Sequence, residues 1–210
     1  MSGRAPAFAR DSATLEYYNQ RAAEYDEWYE STGAFASRDR PGWLEQVDQL
    51  VGFISALPPA RTLDVACGSG FLTRHLPGPL VIGLDQSASM VRIAQARLPQ
   101  GVAVTGDALS LPFADGAFQR VFTGHFYGHL PPTERQRFLA EAARVAAELV
   151  VVDSAPRAGV PAEHWSERVL NDGSVHSVYK RYLTAAQIAQ EIGGVPVFEG
   201  KWFAAAVKKS

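Results

Sequence analysis

The stretch Leu63-Asp64-Val65-Ala66-Cys67-Gly68-Ser69-Gly70 constrains this chain more than any other. A run of strand character leads straight into a glycine turn, and a helix is expected from near Gly70. Gly68 and Gly70 let the backbone turn sharply and approach a ligand with no Cβ in the way. Such a strand–turn–helix unit belongs to open α/β sheets, whose ligands sit at the carboxyl ends of the strands.

The rest of the middle region continues the alternation. Strands are expected at Thr62–Ala66, Leu80–Leu84, Val102–Thr105, Arg120–Thr123 and Leu149–Val152. One helix is expected over Ala88–Leu98, its apolar side built from Met90, Val91, Ile93, Ala94 and Leu98. Another is expected from Thr133, with Thr133 and Gln136 as a capping box. Short apolar strands separated by helices predict a Rossmann-like α/β fold, a mostly parallel sheet with helices on both faces. The tail predicts a helix capped by Thr184 and Gln187 that stops at Gly193-Gly194. A closing β-hairpin at the C-terminus follows, Val195–Phe198 with Lys201–Val207, and Pro196 argues for an edge or a strand start there. Before the sheet, residues 1–59 read as a helical lid: Leu15, Tyr18, Ala22, Tyr25 and Tyr29 recur at helical spacing, and a second helix is expected from Trp43 to Leu57. The expected organisation is one compact domain, with lid 1–59, body 60–210 and an acceptor-pocket insertion over 154–182.

Composition excludes several classes. A formal net charge of -2 does not suit a protein that lives on phosphate contacts, so no nucleic-acid partner is expected. The single cysteine, Cys67, cannot close an internal disulfide and fits a reducing compartment. Residues 1–10 lack an apolar core of signal-peptide length, and the longest apolar runs are too short to cross a bilayer. The expectation is a cytoplasmic protein with no membrane partner, a monomer or a homodimer.

Acidic residues sharpen the glycine turn. Asp85 ends the second strand, where a carboxylate can accept both hydroxyls of a ribose. Gly106-Asp107-Ala108 ends the third, and Asp107 can accept from an adenine amine. With Gly83-Leu84-Asp85-Gln86-Ser87, Met90 and Leu111-Pro112-Phe113-Ala114-Asp115-Gly116-Ala117-Phe118, this ordered set resembles the class I S-adenosylmethionine-dependent methyltransferases, in particular the small-molecule branch of ubiquinone and menaquinone methyltransferases. The resemblance implies S-adenosyl-L-methionine as cofactor and a small-molecule methyl acceptor. It further implies that Ala66, Cys67, Gly68, Ser69 and Gly70 contact the methionine portion, Asp85 the ribose and Asp107 the adenine amine. Gln86, Met90, Ala108, Leu109 and Thr123 are further cofactor-binding positions. Ala66 departs from the glycine common at its place.

In such enzymes the segment after strand four, here Gly124-His125-Phe126-Tyr127-Gly128-His129, lies beside the transferred methyl. Methyl transfer is a displacement at a sulfonium carbon, so a base is needed only when the acceptor must lose a proton. His125, Tyr127 and His129 are the catalytic candidates, and His125 is preferred as nearest the strand end. Glycines and prolines around the histidines, and the lack of a third ligand nearby, argue against a metal. Acceptor-pocket candidates are Tyr17, Tyr25, Trp28, Arg38 and Trp43 in the lid. In the insertion they are Trp165, Arg168, His176, Tyr179, Lys180, Arg181 and Tyr182, whose basic residues favour a polar or acidic acceptor. Two rivals stay open. A NAD(P)-dependent oxidoreductase shares the glycine turn, but Thr73 stands where its fingerprint needs a third glycine. A non-catalytic S-adenosylmethionine-binding module would keep Asp85 and Asp107 without turnover.

Overall fold

The computed structural model describes residues 8–209; residues 1–7 of the expected lid and Ser210 lie outside the described residues. The chain opens with α1 (Ser12–Arg21), α2 (Glu27–Glu30) and α3 (Trp43–Ser55). Asp11 caps α1 by accepting from the Thr14 amide. A Rossmann-like α/β body follows: β1 (Arg61–Val65), β2 (Leu80–Asp85), α4 (Ala88–Arg97), β3 (Val102–Thr105), β4 (Phe118–Gly124), α5 (Pro132–Val145) and β5 (Ala146–Ser154). A separate hairpin, β6 (Glu163–Val169) and β7 (Val175–Arg181), precedes α6 (Ala185–Ile192), β8 (Val195–Glu199) and β9 (Phe203–Lys209).

Seven strands make one sheet in the order β3-β2-β1-β4-β5-β9-β8, parallel from β3 to β5 and antiparallel at β9 and β8. Its strands are apolar on both faces because both faces are covered. Val121 and Val151 enter one core with Phe138 and Val145 of α5 and Ile188 of α6. Their neighbours Phe122, Val150 and Val152 enter the other, with Leu50 and Ile54 of α3. Pro196 sits on the edge strand β8, where no partner needs its missing N–H.

Two local expectations are corrected. No long helix follows Gly70: a single 3-10 turn, Thr73–His75, stands there. Pro77 and Gly78 stop it, and the Thr73 hydroxyl donates to Asp64 at 2.6 Å. The Thr133–Gln136 capping box does not form. α5 starts one residue earlier because Pro132, with its preset φ, takes the first helical position, and Pro131 is the N-cap with no side-chain bond. The insertion over 154–182 carries the β6–β7 hairpin, with Trp165 opposite Tyr179 and Arg168 opposite His176. The box of Thr184 and Gln187 forms as expected, and Gly193 ends α6 at φ +72°. Among the described residues no helix is long and apolar enough to cross a membrane.

Candidate functional site: two cavities that meet at His125

The sheet changes winding direction between β1 and β4, and the crevice at such a point is where ligands bind in folds of this kind. Two left-handed residues face it, Ala66 after β1 and His125 after β4, each with φ of 60°. Gly68 and Gly70 are also left-handed. A Cβ at Gly70 would come 3.1 Å from the α4 backbone at Ala94, and one at Gly68 would meet the Tyr25 ring at 3.2 Å. Asp85 braces the turn: its carboxylate accepts from the Gly68 and Ser87 amides, each at 2.9 Å. Burial raises its pKa, and the backbone bonds from Ser87, Gly68 and Gln86 oppose the rise.

Ala66, Gly68, Asp85 and Gln86 line a narrow cavity of about 40 Å³ with Gly106, Ala108 and His125. Phe8, Ala9, Tyr18 and Tyr25 of the N-terminal segment close over it. That segment is tied down: Ser69 donates to Asp26, Arg97 bridges the two, and Ser87 donates to Asn19 at 2.6 Å.

The other expected cofactor contacts lie around the cavity rather than in its wall. Cys67 is buried with its sulfur beneath Gly83, and burial pushes its thiol up. Met90 is fully buried on α4. Thr123 spends its hydroxyl on the Val65 carbonyl at 2.8 Å, pinning β4 to β1 just before the crevice. Asp107 accepts from the Leu109 amide at 2.8 Å and from Arg10 at 2.7 Å, so its carboxylate turns toward the N-terminal segment. Leu109 is buried.

Ala66 invites a test. A left-handed Cβ-bearing residue costs about 1–2 kcal/mol, while glycine adds about 0.5–1 kcal/mol of unfolded-state entropy. Ala66→Gly is expected to stabilise the fold by about 0.5–1 kcal/mol, or about 2 °C in Tm. A drop in Tm on thermal denaturation would contradict this.

Asp64, beneath the turn, gives a second test. Burial lifts its carboxyl to about 8, opposed by the Thr73 hydrogen bond and aided by Asp85. The native state therefore keeps a proton that the unfolded chain releases above about pH 4. That contribution is complete below the unfolded value and is lost as pH rises through about 8. The fall in stability from about pH 5 to 8 should be shallower in Asp64→Asn than in the parent; equal slopes would show that Asp64 is already ionised.

A second cavity, about 560 Å³, opens beyond His125. His125 lines both cavities. It is buried against Trp28 and Phe203, at 4.8 and 5.4 Å between ring centres, and neither ring nitrogen has a partner. Burial lowers its pKa to about 3, so the imidazole is neutral. His129 lines the larger cavity, and burial holds it neutral too. With the ring neutral, Nδ1–H donates to the Tyr179 carbonyl at 2.6 Å and Nε2 is left as the acceptor. Tyr127 enters neither cavity: its hydroxyl donates to Glu191 on α6, on the far side of the turn.

Of the expected acceptor-pocket residues, Tyr17, Tyr25, Trp28, Arg38 and Trp43 line this cavity, as do Arg168, Lys180 and Tyr182. Four do not. Arg181 pairs with Glu191, His176 packs on Tyr17, the Tyr179 hydroxyl donates to Glu163, and Trp165 is exposed. Sequence reasoning missed Arg40, Arg157 and Lys201 as lining residues. Arg157 follows the carboxyl end of β5, and that position alone was the available signal.

Residues 62–148 match a family model described as a methyltransferase domain. Within those residues the chain is similar to a methyltransferase domain, and the match covers less than half of the chain. It is 33% identical over 121 residues to the demethylmenaquinone methyltransferase of Thermotoga maritima, across 54% of this chain and 51% of that enzyme. The chain thus spans about half of that relative's length. Its fold matches the solved DhpI–SAM–HEP complex with a TM-score of 0.72 at 21% identity, over 94% of this chain and 96% of the other. It also matches the [4+2]-cyclase SpnF, with a TM-score of 0.63 at 20% identity over 91% and 74% of the two chains.

Proposed function

We propose that this protein transfers a methyl group from S-adenosylmethionine to a small-molecule acceptor seated in the larger cavity. The observation that carries the reading is the position of His125. With Tyr18 and Tyr25 it lines both the narrow crevice and the roomy aromatic cavity, and its ring nitrogens are unpartnered.

The residues present suit the cofactor. Asp85 accepts backbone bonds at both carboxylate oxygens and still lines the crevice, which suits a pair of ribose hydroxyls. The left-handed turn at Ala66, Gly68 and Gly70 would carry the amino-acid tail. Gly106 and Ala108 would flank the base, with Asp107 available to its amine once Arg10 lets go. A crevice of about 40 Å³ is well below the roughly 300 Å³ of small ligand pockets, so binding requires Phe8, Ala9, Tyr18 and Tyr25 to withdraw. When bound, the cofactor would supply a methyl group on its sulfonium sulfur, and the neutral thioether, S-adenosylhomocysteine, would be the leaving group.

The chain's own contribution is alignment and exclusion of water. Trp28, Trp43 and Tyr182 give the acceptor an apolar berth, and the N-terminal segment covers the junction. His125 and His129 are neutral, so each can accept a hydrogen bond from an acceptor hydroxyl or amine. A pKa of about 3 makes His125 a weak base, so its part is to orient the acceptor by accepting that hydrogen bond.

The fold does not by itself fix the reaction, as a cyclase of the same architecture illustrates. Incubation with methyl-labelled S-adenosylmethionine and a broad metabolite extract tests the proposal: label should appear in a small organic product. Retention of all label in the cofactor would favour a binding module without turnover.

A further inference from the structure

The larger cavity carries more positive charge than any structural need explains. Arg21, Arg38, Arg40, Arg157, Arg168 and Lys201 all line it, and Asp39 is the one carboxylate on its wall. Among the described residues none of these six cations pairs with a carboxylate. Lys180 differs, since its ammonium is neutralised by buried Asp153 at 2.5 Å.

The guanidiniums rest instead on aromatic faces and neutral oxygens. Arg40 lies over Trp43 at 3.9 Å and donates to the Trp28 carbonyl and the Ser31 hydroxyl, and its buried Nε has no partner. Arg38 stacks on Phe35 at 4.4 Å. Arg157 lies over Tyr182 and donates to its hydroxyl at 2.7 Å. Burial, together with the neighbouring charges of Arg38 and Arg157, lowers the Arg40 pKa to about 10. Aromatic stacking fixes the planes of these groups and leaves their forked donors for a ligand. An unpaired buried donor costs free energy until a partner arrives.

From this geometry we infer that the acceptor is a small oxyanion, carrying at least two negative charges on one end and an apolar body on the other. The anionic end sits among Arg38, Arg40, Arg157 and Arg168, and the body lies on Trp28, Trp43 and Tyr182. A phosphate, a phosphonate and a vicinal dicarboxylate share this chemistry. The inference rests on the methyltransferase reading for the word acceptor, and on the cavity alone for the charge.

Trp28, Trp43 and Trp202 line the cavity, so tryptophan fluorescence reports its occupancy. Phenylphosphonate, phthalate and benzyl alcohol are titrated into the full-length protein, with and without saturating S-adenosylhomocysteine. The expected result is at least tenfold tighter binding of one or both anions than of the alcohol, and the tighter anion identifies the headgroup. Arg157→Gln combined with Arg168→Gln should weaken the anion at least tenfold and leave S-adenosylhomocysteine affinity within twofold. The ligand series on the parent protein stands even if that variant fails to fold. Equal or tighter binding of the alcohol would overturn the inference, as would absence of anion binding in a protein that binds S-adenosylhomocysteine. If the anions bind and S-adenosylhomocysteine does not, the methyltransferase reading fails and the cationic site stands. If neither binds, both fall.

Discussion

His125→Asn is expected to lower kcat for methyl transfer by about 10²-fold, the cost of losing the group that positions the acceptor. Affinity for S-adenosylhomocysteine should change little. The residue holds a left-handed φ of 60°, is buried, and has two ring nitrogens without partners. Each of those features costs stability, of order 1–3 kcal/mol, and fold packing gives no return for them. Asparagine tolerates the same backbone conformation, so the variant separates ring chemistry from backbone geometry. Its thermal stability should match or exceed that of the parent. A kcat within about threefold of the parent, with an acceptor found by label transfer, would reduce His125 to a wall residue.

Asp85→Ala is expected to weaken S-adenosylhomocysteine binding by at least about 100-fold. The carboxylate would contribute two hydrogen bonds to ribose hydroxyls, each charge-assisted and worth roughly 1.5 kcal/mol or more. Together they amount to about 3 kcal/mol, which is about two orders of magnitude in Kd. The same substitution also releases the Gly68 and Ser87 amides that the carboxylate now holds at 2.9 Å. Asp85→Asn addresses that second effect: it preserves size but supplies one acceptor oxygen where the carboxylate has two. An intermediate loss for Asp85→Asn fits the ribose role. Unchanged affinity in both variants would move the nucleoside away from β2.

The scaffold was legible in the sequence because its central strands β1, β4 and β5 are buried on both faces and glycines mark its turns. β3 matched its expected span, Val102–Thr105, and β2 and α4 differed by one residue at one end. The helix expected after Gly70 failed because Pro77-Gly78 lies too close to permit more than one turn. The β6–β7 hairpin was missed although Asp172-Gly173 is a hairpin dipeptide. Exposed Trp165 and Val169 on one face obscured the apolar alternation there. In the crevice, sequence order foresaw Asp85, but the turning of Asp107 toward Arg10 depends on where the N-terminal segment folds. Position 127 shows the same limit. One residue from Gly128 and two from each histidine, Tyr127 points to α6, and three residues per turn in the 3-10 segment Tyr127–His129 set its side chain about 120° from that of His129. The cationic wall gathers Arg21, Arg40, Arg157 and Lys201 from four separate segments, and no local spacing announces such a convergence.

Isothermal titration of the unmodified protein with S-adenosylhomocysteine, and in parallel with NADH, bears on the central claim most directly. The crevice beside Asp85 and the Ala66–Gly70 turn predicts saturable one-to-one heat with the former and none with the latter. Silence with S-adenosylhomocysteine, or saturable heat with NADH, would contradict it.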